Sequence, residues 1–86
     1  MRFEGTIVRE QGVAFATVVV KRHILDNNAE AIRVARSFQP AFPGLPVVLV
    51  AQNHRGAATY FGRPDIARFL SRVPVSAIPW REYTLH

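Results

Sequence analysis

The sequence predicts an α+β fold: two layers in the order ββαββαβ, with a mixed five-stranded sheet and two helices on one face. Three observations carry that expectation. The stretches "VAFATVVVK" and "VVLVA" are nearly continuous in apolar and β-branched residues, the mark of strands covered on both faces. Two other segments repeat apolar residues at helical spacing. The length of 86 residues suits a single α+β domain, 1–86, with a modest core.

The first strand is "RFEGTIVRE", residues 2–10, with Phe3, Ile7 and Val8 around Gly5 and Thr6. Glu10, Gln11 and Gly12 form a short turn in which the glycine accepts positive φ. "VAFATVVVK", residues 13–21, returns to make a hairpin. A helix follows, with Asn27 as N-cap and Glu30 three residues on to complete a capping box. Ala31, Ile32, Val34, Ala35 and Phe38 lie on its apolar side; Glu30, Arg33, Arg36 and Ser37 lie opposite. Pro40 ends it and opens a stiff connector with Pro43 and Pro46.

"VVLVA", residues 47–51, is the third strand, "QNHRG" a hairpin loop and "AATYF", residues 57–61, the return strand. The second helix runs from Pro64 to about Val73. It buries Ile66, Phe69, Leu70 and Val73 and turns Asp65, Arg68, Ser71 and Arg72 to water. "SAIPWREY", residues 76–83, reads as a last strand. Pro79 lacks a backbone donor, which places that strand at an edge or bulge.

Both continuous apolar strands belong in the interior of the sheet, parallel through a right-handed crossover. The alternative is a ferredoxin-like βαββαβ order with an extra N-terminal strand, which makes "VVLVA" an edge. With two helices on one face, the apolar residues pointing the other way need a cover. The expected cover is a second copy, so the chain is expected to be a homodimer.

Composition narrows the function classes. With 49% apolar and 20% charged residues the chain is globular, and with no cysteine it has neither disulfides nor thiol chemistry. Arg2, Glu4, Arg9 and Glu10 stand where a signal peptide needs an apolar run, and "VAFATVVV" is far short of a membrane span. The expectation is a cytoplasmic, bacterial domain. The net charge is +5, almost all of the positive side arginine. Arginine forks suit phosphate or carboxylate, although codon bias in a GC-rich genome produces the same usage.

Three local resemblances arise. "QGVAF", residues 11–15, resembles the QGVxF stretch of acylphosphatases, but Ala16 stands where that family has its phosphate-binding arginine. "RGAATYFG", residues 55–62, resembles an RNA-recognition motif at Arg55 and Gly56, with Ala57, Thr59 and Tyr60 at positions where aromatics or a valine are expected. Pro46, the following hairpin, Gly62 and a helix resemble the C-terminal half of thioredoxin, whose redox chemistry the absent cysteines exclude. None of the three lends a function.

Two groups of residues stand out as binding candidates. Arg33 and Arg36 on the first helix and Arg68 and Arg72 on the second make one basic surface if the helices lie side by side. Such a surface suits phosphate contact with nucleic acid or another anion. His54, Arg55 and Arg63 make a second, loop-borne candidate. Histidines 23, 54 and 86 lack metal-ligand spacing, and no serine sits in a nucleophile elbow. No metal or cofactor is expected. The function expected is a non-catalytic protein-interaction module acting as a homodimer; the alternative is a basic nucleic-acid or anion binder.

Overall fold

A computed structural model describes residues 1–10 and 12–85; Gln11 of the first turn and His86 lie outside the described residues. The strands are β1 (Arg2–Glu10), β2 (Val13–Val19), β3 (Val47–Gln52), β4 (Ala58–Phe61) and β5 (Arg81–Thr84). The helices are α1 (Arg22–Leu25), α2 (Asn28–Phe38) and α3 (Pro64–Leu70), with 3-10 turns at Gln39–Ala41 and Val75–Ala77. The sheet is mixed, in the order β4-β3-β2-β1-β5. β2 and β3 run parallel, with Thr17 beside Val48 and Val18 beside Leu49. The other neighbours are antiparallel. β3 lies inside the sheet, which removes the ferredoxin-like alternative.

The helices do not share a face. Ala31 and Phe38 of α2 pack with Ala16, Val18 and Leu49. Ile66 and Leu70 of α3 pack with Phe15 and Val48. Successive strand residues point to opposite faces, so these two sets lie on opposite sides of the sheet. The continuous apolar character of β2 and β3 does report burial on both faces. Its second cover is α3 of the same chain, not a second copy. Each large apolar side chain buried there contributes about 1.5–3 kcal/mol.

Local chemistry explains most boundaries. The Asn27 side chain accepts from the Glu30 amide at 3.1 Å, while the Glu30 carboxylate turns to Arg33 instead of back to the cap. Ile32 is exposed, because the buried stripe of α2 passes through Ala31, Val34, Ala35 and Phe38. The one-turn α1 has no apolar repeat long enough to signal it. The connector from Pro40 to Pro46 holds only trans peptides. α3 stops at Leu70, and the Ser71 hydroxyl donates to the Arg68 carbonyl at 2.7 Å.

On the α2 face an aromatic group ties β1 to β5. Phe3 stacks on Tyr83 with ring centroids 5.4 Å apart and touches Phe38 at 4.7 Å. β5 is shorter than the sequence suggests. Residues 75–77 are a 3-10 turn, and the Trp80 amide donates to the Ile78 carbonyl at 2.9 Å across Pro79. A proline inside that tight turn cannot extend the ladder. The indole Nε1 of the half-buried Trp80 donates to the Val75 carbonyl at 3.0 Å, holding the turn under the sheet.

Candidate functional site

The two helices carry their arginines to different sides of the molecule. Arg33 and Arg36 belong to α2, and Arg33 is engaged by Glu30. Arg68 lies in the last turn of α3 and Arg72 just beyond it, on the opposite face of the sheet. The expected single basic surface of four guanidiniums is therefore not formed. Sequence periodicity shows which side of a helix is wet; it does not show which side of a sheet the helix covers.

The loop candidate also comes apart. His54 and Arg55 occupy the tip of the β3–β4 hairpin, where the Asn53 side chain accepts from the Arg55 and Ala57 amides at 2.8 and 3.0 Å. Arg63 lies beyond the far end of β4. There it forks onto Asp65, with Nε and Nη2 at 3.2 and 2.8 Å from the two carboxylate oxygens. The Arg63 hydrogen bond and charge hold the Asp65 carboxyl below the usual aspartate range.

What the fold does bring together is an open edge on β1. Met1 and Leu85 exchange both backbone hydrogen bonds, at 3.0 and 2.8 Å. In an antiparallel ladder such pairs recur at every second residue, so the odd-numbered residues of β1 aim their amides and carbonyls toward β5. The β2 side agrees. Even-numbered Ala16 and Val20 donate to β3 and its approach, at Pro46 and Val50, leaving odd-numbered β2 residues for the even-numbered residues of β1.

β5 begins at Arg81, which pairs with Gly5. Beyond that point the outward backbone groups of Ile7 and Arg9 have no strand beside them, and no other backbone group among the described residues bonds to them. Side chains rim this edge. Thr6, Ile7, Arg9, Pro79, Arg81 and Tyr83 line a shallow notch of about 260 Å³. Val8 faces the other way and packs beside Ile78 and Trp80, which makes the underside of the edge firm.

No protein-family model matches this sequence, and no curated protein or solved structure is significantly similar to it. The site must speak through its own chemistry. It offers unpaired backbone donors and acceptors, two guanidiniums and one exposed isoleucine. Among the described residues no group of histidines and carboxylates is placed to hold a metal ion, and no helix is long and apolar enough to cross a membrane.

A second cluster lies where β2 and β3 end. The two strands run parallel with Val19 beside Val50, so Lys21, Arg22 and His23 leave β2 next to the hairpin that carries His54 and Arg55. All five are exposed. Sequence reading found the loop members of this cluster and missed its β2 members, because adjacency here depends on strand order. The signal for the β1 edge was Pro79, whose missing donor shortens β5 and uncovers Ile7 and Arg9.

Proposed function

We propose that this domain is a non-catalytic protein-interaction module that takes up its partner by strand addition along the lower edge of β1. One observation carries the reading. The amides and carbonyls of Ile7 and Arg9 point out of the sheet with no partner strand, beside a notch and over a firm floor. An extended peptide laid there gains main-chain hydrogen bonds from the edge and side-chain contacts from alternate positions.

Proline substitution tests this without disturbing the core. Ile7→Pro removes an outward amide and leaves the β1–β2 ladder intact; Val8→Pro removes a donor to β2 and is expected to unfold the chain. Blocked extended peptides of acidic, neutral and basic composition are titrated against labelled protein. At least one is expected to shift the Arg9 and Arg81 amides in the parent and none in folded Ile7→Pro. Equal binding to both proteins overturns the reading.

A second reading is favoured by the cluster at the ends of β2 and β3. Lys21, Arg22 and Arg55, with His23 and His54, make a basic rim that suits the phosphates of nucleic acid, with strong salt dependence and little sequence selectivity. Charge reversal at Arg22 and Arg55 abolishes such binding and leaves the β1 edge untouched. Reversal at Arg68 and Arg72, on a different face, has no effect on it.

A further inference from the structure

Arg9 and Arg81 flank the open edge, and neither guanidinium is ion-paired among the described residues. Ile7 stands between them, 40% exposed. Strand alternation puts all three side chains on one face of the sheet. Ile7 pairs with Ala16, and Arg81 pairs with Gly5, itself opposite Val18, so both share the face of Ala16 and Val18. We infer that the occupant of this edge, given the strand-addition reading above, is an extended acidic segment of a partner protein, with carboxylates at alternate positions meeting Arg9 and Arg81.

The geometry selects this partner in three ways. The outward groups include carbonyls as well as amides, and only a donor-bearing backbone satisfies both. A peptide strand carries N–H groups at the needed repeat; a phosphodiester chain offers acceptors alone. Next, same-face side chains on a strand recur about every 6–7 Å, so an acid–any–acid pattern presents its carboxylates along the side that holds Arg9, Ile7 and Arg81. Each guanidinium can take a carboxylate by two parallel hydrogen bonds.

Charge also argues against a second copy. An isologous pairing of two β1 edges sets Arg9 and Arg81 against the same residues of the other copy, and like charges facing across strands are destabilising. The net charge of +5 repels a second copy and draws an acidic chain. A segment of about five residues spans the open length, since among the described residues Ile7 and Arg9 present the outward groups there.

The experiment is a titration of the full chain, followed by amide shifts, with a blocked heptapeptide of alternating glutamate and valine. Two control peptides replace glutamate by glutamine and by lysine. The glutamate peptide is expected to shift Ile7, Arg9 and Arg81 and to bind more tightly than either control. Arg9→Gln and Arg81→Gln are each expected to weaken it by about two- to fivefold, the range of an exposed charge pair. If all three peptides bind the edge equally, strand addition stands and the acidic preference falls. If none binds the edge, both fall. A dimer in sedimentation with protected Ile7 and Arg9 amides, before any peptide is added, overturns the proposal in favour of a second copy.

Discussion

Gly5 and Arg81 face each other across β1 and β5, and no pair follows them in that ladder. β1 runs on to Glu10 with β2 on one side only. The cause lies in the preceding residues: the Ile78–Trp80 turn closes over Pro79, and the chain reaches the sheet too late to pair with Ile7. The open edge thus follows from a proline placed just before a strand.

Trp80 holds that turn by donating its indole N–H to Val75. Trp80→Phe keeps a ring against Ile78 and loses the indole hydrogen bond, leaving the Val75 carbonyl with the Ile78 amide as its remaining donor. The expected cost is about 1 kcal/mol, read from the urea midpoint. An unchanged midpoint contradicts the role given to the indole.

Gly62 lets the chain pass close to β3 on its way into α3. A Cβ built there sits 2.8 Å from a methyl of Val48 and 3.2 Å from its Cα. Gly62→Ala is expected to destabilise by roughly 1–3 kcal/mol, the usual cost of overpacking. Trimming the contact with Val48→Ala in the same chain should recover less than the clash alone suggests, because that change also opens a cavity.

Thr17 is buried on the α3 face, and its hydroxyl has no hydrogen-bond partner among the described residues. A buried hydroxyl without a hydrogen bond is a burden on stability. Thr17→Val keeps the shape and removes that group, so the variant is expected to be more stable by roughly 1 kcal/mol. Destabilisation on thermal melting runs against it.

Asp65 gives the pH dependence. Its carboxyl is lowered in the folded state, chiefly by the Arg63 hydrogen bond, so the unfolded chain holds that proton more tightly. The stabilisation is complete above the ordinary aspartate range and disappears as pH falls through the lowered folded value. Asp65→Asn is therefore expected to lie below the parent in stability at neutral pH and to converge with it in acid. Because the pair is exposed, the gap is small and shrinks with added salt. A gap that widens in acid contradicts the assignment.

Much of the fold was legible in the residues. The unbroken β-branched runs marked β2 and β3 as interior strands, and Asn27 and Pro64 marked the starts of α2 and α3. The faces of the helices in the sheet were not legible, because nothing local in "PDIARFL" distinguishes packing on Phe15 from packing on Ala16. That single choice, one residue along β2, separates Arg33 and Arg36 from Arg68 and Arg72. It also removes the open face on which self-association was expected. The β1 edge was half legible: Pro79 announced a broken strand, but the break matters only because β1 is the longer neighbour.

The most direct measurement is native-state amide exchange on the free protein, resolved along β1. The open edge predicts alternation, with Thr6 and Val8 protected by β2 and Ile7 and Arg9 exchanging rapidly. Phe3 and Gly5, covered by β5, are expected to be slow. Ile7 and Arg9 protected as strongly as Thr6 and Val8 would mean that a strand already lies on this edge, which is then not open to a partner.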